Sequence, residues 1–309
     1  MSLQNRIEAF DIFKSRFEHH RVGSLLVAHK IRPDLFEKLQ TAAALYISRG
    51  FNGDCYIQNE FHLLKTLDEQ YENISNITPN GMIVPKKYNV LEYNLLVRAF
   101  SSIIDSLGIN DLISSWHIPL NLRYKQGAVN QANMLRHHPT EHIHSDSWAG
   151  ESSESVTVHI PIFGDIERNH VAFYDPPDAF EESWLGALPS YKDGEHIADK
   201  YTKLDYVPSK GTILLADFAG LHSSTRLAGA QSRISIDTTF VLRRPGDNRD
   251  PEKIHHWREN ERASQKTLST LGSNKLFYFP DGDGEFVDSE GGFKHPTNLH
   301  ILDLGASNE

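Results

Sequence analysis

Arg233-Ile234-Ser235-Ile236-Asp237-Thr238-Thr239-Phe240-Val241-Leu242 alternates: Arg233, Ser235 and Asp237 face one way, and Ile234, Ile236 and Phe240 face the other. A period of two belongs to a strand with one face on a core. The same period sets in near residue 116. It recurs in Ile118 to Tyr124, Ser155 to Ile162, Val171 to Tyr174 and Thr212 to Phe218. Short strands between turn-rich segments, with no helical period separating them, predict a sandwich or barrel of jelly-roll type. Inside such a barrel, Arg233 and Ser235 would aim a guanidinium and a hydroxyl together at the lumen.

Upstream the period is helical. Leu3, Ile7, Phe10, Phe13 and Phe17 form an amphipathic stripe. Val22 to Ala28 reads as a strand. A helix opens at Pro33 and runs to Gly50, proline being tolerated at a first helical position. Another covers Tyr88 to Leu107 and stops at Gly108, and the stretch between these helices, with Pro79, Asn80-Gly81 and Pro85, reads as loop. Pro176 to Pro208 reads as an aromatic insertion over the barrel mouth, with Trp184, Tyr191 and Tyr201 as lid candidates. A charged helix is expected from Asp250-Pro251 to about Leu271. Asp281-Gly282-Asp283-Gly284-Glu285 lacks the glycine a calcium loop needs at its sixth position, where Phe286 stands, and reads as a surface turn. The expected organisation is one domain over 1–309: a helical part (1–115), a catalytic core (116–245) with the insertion at 176–208, and a carboxy-terminal helix and tail (246–309).

The 309 residues suffice for one substantial core. A net charge of −10 argues against nucleic acid as partner, since phosphate binding rests on basic surface. Cys55 is the single cysteine, so no intrachain disulfide can form, which fits a reducing compartment. There is neither an apolar signal segment at the amino terminus nor a run long enough for a membrane span. The expectation is a cytoplasmic protein acting on a small molecule, with its oligomeric state open.

Among seventeen histidines, spacing singles out a few. In His144-Ser145-Asp146 the imidazole and the carboxylate share one face of an extended segment. A third ligand must come from a strand distant in sequence. His222 fits, because Gly211-Thr212-Ile213-Leu214-Leu215-Ala216-Asp217-Phe218 reads as a buried strand that leads to it. Two imidazoles and one carboxylate are the donors that hold non-haem Fe(II) on one face and leave positions free. His142 lies on the same face as His144 and Asp146, so a shifted pair stays open, whereas His137 and His138 read as loop residues. Arg233 with Ser235 forms a carboxylate grip, since a guanidinium gives a carboxylate two parallel hydrogen bonds. The alternative is Arg233 paired with Asp237. Arg226 is a competitor, read as a loop residue with a substrate role. Asn121, Arg123 and Tyr124 alternate on a strand leading to the site, and Asn121 or Arg123 could reach substrate or cosubstrate. Thr157 and His159 stand opposite the Val156, Val158, Ile160 face, pointing into the lumen or simply outward. Trp148 lines the pocket or packs.

HxD, the glycine-led strand, the distal histidine and RxS occur in the order of the Fe(II)/2-oxoglutarate-dependent dioxygenase superfamily, which the chain resembles from about Leu120 to Arg244. His144-Ser-Asp-Ser-Trp-Ala-Gly-Glu151 with Val158-His-Ile-Pro-Ile-Phe-Gly-Asp165 resembles a bacterial, phytanoyl-CoA-dioxygenase-like group named after streptomycin biosynthesis. The resemblance implies a double-stranded β-helix (jelly roll, cupin-like) with the amino-terminal helices packed outside. It implies iron on His144, Asp146 and His222, and the far carboxylate of 2-oxoglutarate on Arg233 and Ser235. With O2 as second cosubstrate, a C–H bond of a small polar metabolite is hydroxylated, and succinate and CO2 are released. Halogenases of the superfamily have a small residue in place of the carboxylate, so Asp146 favours hydroxylation. Two rivals stay open. One is a cupin-like metalloenzyme without 2-oxoglutarate, which would recruit His142 or His159 to the metal. The other is a non-catalytic jelly-roll binding module.

Overall fold

The computed structural model describes residues 2–50, 59–71, 76–78, 80–117, 120–129, 134 and 136–242, and the short strands 262–263, 275–278 and 300–303. Helix α1 (Leu3–Lys14) is capped by the Ser2 hydroxyl, which accepts from the Asn5 N–H. Strands β1 (His20–Arg21) and β2 (Leu26–Lys30) form a hairpin where one strand over Val22 to Ala28 was expected. Helix α2 (Pro33–Gly50) has the bounds its proline and glycine predict. Helix α3 (Glu60–Gln70) occupies part of the stretch read as loop. Its signal is faint because only Leu63, Thr66 and Leu67 are buried, while Phe61 points outward. After β3 (Met82–Ile83) comes α4 (Val90–Leu107), ended by Gly108 in the left-handed conformation.

The strands that follow are β4 (Ile113–His117), β5 (Asn121–Lys125), β6 (Ser155–Gly164), β7 (Asn169–Asp175), β8 (Thr202–Lys203), β9 (Thr212–Asp217), β10 (Leu221–Arg226) and β11 (Arg233–Leu242). A large antiparallel sheet runs β1-β2-β9-β6-β11, and β11 pairs on its other edge with β5 through its first half and with β4 through its second. A smaller sheet, β10-β7-β8, faces it, and an isolated bridge between His144 and His222 adds the HxD segment to that sheet. Two facing antiparallel sheets make the expected jelly-roll core. No helix among the described residues is long and apolar enough to cross a membrane.

Alternation decides what each face of the large sheet meets. Val156, Val158, Ile160, Ile213, Leu215, Ile234, Ile236 and Phe240 join the core with Leu39, Tyr46, Tyr93, Leu96 and Phe100 of α2 and α4. The helices thus cover one face of the sheet and leave the other for the lumen. Leu26, Ala28, Leu214 and Ala216 of the large sheet meet Val171 and Phe173 of the small one, holding the two sheets together. Within the span read as a carboxy-terminal helix, Arg262–Ala263 instead pair with β4 as a strand; the rest of that span and the Asp281–Glu285 turn lie outside the described residues.

Candidate metal and cosubstrate site

His144, Asp146 and His222 converge. One ligand atom from each lies within 4.8 Å of the others. The Asp146 Oδ1 stands 3.7 Å from the His144 Nε2 and 3.8 Å from the His222 Nε2, too far for hydrogen bonds and apt for a shared ion. His144 is 1% exposed. Its Nδ1–H donates to the His142 carbonyl at 2.7 Å, which fixes the tautomer and leaves the Nε2 lone pair directed at Asp146 and His222. Burial, then the neighbouring His222, holds the His144 imidazole well below its usual range, in the neutral form a metal requires. Burial pushes the Asp146 carboxyl up, against the pull of His222.

Two connections set this geometry. His144 and His222 exchange both backbone hydrogen bonds, at 3.0 and 2.9 Å. The Ser145 hydroxyl donates to the Phe218 carbonyl at 2.9 Å, so the HxD segment is held to the turn that precedes His222. His222 itself sits on β10, a strand separate from β9, rather than at the end of the glycine-led strand. The sequence of β10, Leu-His-Ser-Ser-Thr-Arg, has too few apolar residues to announce a strand. Asp146 opens a short 3-10 turn (Asp146–Ala149) instead of continuing an extended segment.

The second element of the site is Arg233, 1% exposed. Its Nη1 donates to the Ser235 Oγ at 2.6 Å and its Nε to the Asn169 Oδ1 at 3.1 Å. Asn169 is locked in turn, because its amide donates to the carbonyls of Lys125, Gln126 and Gln231. Ser235 accepts through its oxygen, so its own hydrogen remains to donate. Among the described residues, no carboxylate forms an ion pair with Arg233. Burial, then repulsion from Arg226, pulls the guanidinium down to about 9. A buried cation that lacks an anionic partner is costly, and a site built around one fits a ligand that brings the anion.

Asp237 pairs with Arg123, not with Arg233. The Arg123 Nε and Nη2 donate to its two oxygens at 2.8 and 2.7 Å, and the Asn121 amide adds a bond at 2.9 Å. Asn121 and Arg123 therefore face the lumen as the alternation predicts, on a strand register that sets Asn121 opposite Asp237 and Arg123 opposite Ser235. His159 lies across from Asp237 on β6, buried and neutral, with burial and then Arg233 lowering it to about 3. Neither it nor His142 belongs to the three-residue cluster; the His142 Nδ1 stands 3.6 Å from Glu195.

Several site residues escape a reading of the sequence. Lys125 is paired in register with Arg233, and the alternation of β5 continues through Asn121 and Arg123 to it. Its ammonium donates to Thr140 at 2.8 Å and lies 3.5 Å from Glu141. Arg226, expected in a loop, ends β10 and bonds Glu141 at 3.1 Å. Burial, then Glu141, acts on Lys125, and burial prevails, bringing it down to about 7. Glu141 is held near 2: burial raises it, but Lys125 and Arg226 outweigh that. Asn169 gave no signal. The insertion forms a packed wall here rather than a free flap. Tyr191 stacks on the His144 ring, with centroids 4.1 Å apart and planes 20° apart, and joins Trp148, Ile197, Ala198 and Leu221 in a buried cluster. The Trp148 indole donates to the Trp184 carbonyl at 2.7 Å, and Trp148 packs in the same buried cluster as Tyr191, which stacks on His144.

No protein-family model matches the chain, and no curated protein does. Solved structures with a similar chain path include AviO1 from Streptomyces viridochromogenes Tue57, 13% identical over 77% of this chain and 94% of that one, with a TM-score of 0.39. An N-substituted L-amino acid dioxygenase from Burkholderia ambifaria AMMD is 13% identical over 77% of this chain and 87% of that one, with a TM-score of 0.38. EctD from S. alaskensis, solved with 2-oxoglutarate and 5-hydroxyectoine, is 12% identical over 78% of this chain and 76% of that one, with a TM-score of 0.37.

Proposed function

We propose that the protein is a non-haem Fe(II)/2-oxoglutarate-dependent oxygenase that hydroxylates a C–H bond of a small polar molecule. The observation that carries this is the juxtaposition of a His-Asp-His cluster with a buried Arg233 that has a hydroxyl beside it and, among the described residues, no carboxylate of its own. His144, Asp146 and His222 would hold the ion. The donor set of two neutral nitrogens and one carboxylate suits Fe(II) and leaves coordination positions for cosubstrates. Bound there, iron would supply the activation of O2. Arg233 and Ser235 would bind the far carboxylate of 2-oxoglutarate, the guanidinium through two parallel bonds and the hydroxyl through its free hydrogen. Asn121 and Arg123, tied to Asp237, would line the cosubstrate and substrate space from the large sheet. The wall of Tyr191 and Trp148 would keep water from the ligands.

The overall reaction balances as R–H, 2-oxoglutarate and O2 giving R–OH, succinate and CO2. A cupin-like enzyme without the cosubstrate is less well supported, because His159 and His142 stay outside the ligand cluster and the lone Arg233 would lack a purpose.

Anaerobic titration of the metal-free protein with Fe(II) and 2-oxoglutarate tests the reading. A weak metal-to-ligand charge-transfer band is expected in wild type and absent in His222→Ala. Metal binding without that band would move the assignment to the cupin-like enzyme. No metal binding at all would end both.

A further inference from the structure

We infer that Arg6, on the amino-terminal helix, is a positioning residue for the metal ligands, so that α1 belongs to the active site and not merely to the outer shell. The inference rests on the reading of His144, Asp146 and His222 as a metal site.

Arg6 is 2% exposed, although arginine is almost never fully buried unless paired. Its Nη1 donates to the Asp217 Oδ1 at 2.7 Å, its Nε and Nη2 donate to the two Glu182 oxygens at 2.9 and 2.7 Å, and its Nη2 also reaches the Ser153 carbonyl at 2.9 Å. These partners belong to three separate segments. Asp217 ends β9 and organises the turn into β10: the same Oδ1 accepts the Ala219 N–H at 2.8 Å, and the Asp217 carbonyl accepts the Gly220 N–H at 2.9 Å. Two residues later comes His222. Ser153 lies in the loop that follows the Asp146 turn. Glu182 opens the short 3-10 turn that contains Trp184, whose carbonyl holds Trp148. One guanidinium thus ties together the approach to His222, the loop leaving Asp146 and the wall beneath both.

The cost of this arrangement shows that helix anchoring alone does not account for it. Removing a guanidinium and the Asp217 carboxylate from water is expensive even with Glu182 left 31% exposed, and apolar side chains of similar volume do the job of stability equally well or better. Helix α1 already has such anchors in Phe10 and Phe13, both buried in the main core. What an apolar contact lacks is direction. The planar fork of arginine fixes the angles of several acceptors at once, which lysine cannot do. Because Ser145 is hydrogen-bonded to Phe218, the residue after Asp217, an angular change at Asp217 passes directly to the HxD segment.

The test is Fe(II) affinity, measured anaerobically by competition with a chelator, on wild type, Arg6→Ala, Arg6→Lys and His222→Ala, each well below its own melting temperature. Arg6→Ala should lose about ten- to a hundredfold in affinity, as for other residues that orient metal ligands. Guanidinium ion at low, non-denaturing concentration should restore part of it, while His222→Ala should gain nothing. Arg6→Lys keeps a compensating charge and so guards against a variant that does not fold; its affinity should still fall several-fold. A folded Arg6→Ala or Arg6→Lys with wild-type affinity would overturn the inference while leaving the metal site intact. Wild type that binds no Fe(II), or His222→Ala that binds as well as wild type, would overturn the metal site itself.

Discussion

Replacing Arg233 with methionine separates a residue kept for binding from one kept for folding. A guanidinium held at about 9 carries, in the folded state, a cost of being charged on the order of 5 kcal/mol. Against this stand its hydrogen bonds to Ser235 and Asn169, each worth roughly 1.5–3 kcal/mol because the donor is charged. Methionine removes both the cost and the bonds, so Arg233→Met should fold with a stability between about 1 kcal/mol below wild type and about 2 kcal/mol above it. The cosubstrate should respond in the opposite sense. On the proposed role of Arg233, losing a buried, bidentate carboxylate grip would cost about 2–5 kcal/mol, or roughly thirty- to several-thousandfold in 2-oxoglutarate affinity. Urea unfolding of the metal-free protein and anaerobic 2-oxoglutarate titration of the Fe(II) form give the two numbers. A variant that is several kcal/mol less stable yet binds 2-oxoglutarate normally would refute the reasoning, since Arg233 would then be a structural residue.

Three further outcomes follow from the same lumen. Glu141→Gln leaves Lys125 and Arg226 buried without their carboxylate, and should cost about 3–5 kcal/mol by urea unfolding at pH 7. Lys125 has a folded value of about 7, below that of the unfolded chain, so its burden is full below pH 7 and is relieved as pH rises toward about 10.4. Wild type should therefore gain stability relative to Lys125→Met between pH 7 and 10; a constant difference would show that the ammonium is not desolvated. Gly164 has φ +92°, and a Cβ there would lie 2.2 Å from the Ser232 carbonyl oxygen and 2.7 Å from the Arg233 Cα. Gly164→Ala should lower stability by about 1–3 kcal/mol and weaken 2-oxoglutarate binding, whereas unchanged binding would mean that Arg233 is placed independently of β6.

Local pattern and side-chain chemistry were enough to read the elements whose pattern repeats and to single out the residues whose chemistry is rare. Helix α2 and strand β11 have the bounds predicted from proline, glycine and alternation, because local backbone preference and burial agree there. His144, Asp146, His222, Arg233 and Ser235 could be singled out as candidates in advance, since few functions need those side chains in that order, and the structure brings the first three together and joins the last two by a hydrogen bond. Tertiary structure decided the elements whose residues lack a pattern of their own. Helix α3 buries three side chains, and β10 is almost wholly polar, so both are held by their neighbours rather than by propensity. It also decided pairing. Alternation places Arg123, Arg233 and Asp237 on one face, but only strand register assigns Asp237 to Arg123 and leaves Arg233 without a carboxylate among the described residues. The tie from Arg6 to Asp217 spans most of the chain, and such a contact is invisible to any rule of local spacing because it exists only once the sheets have closed.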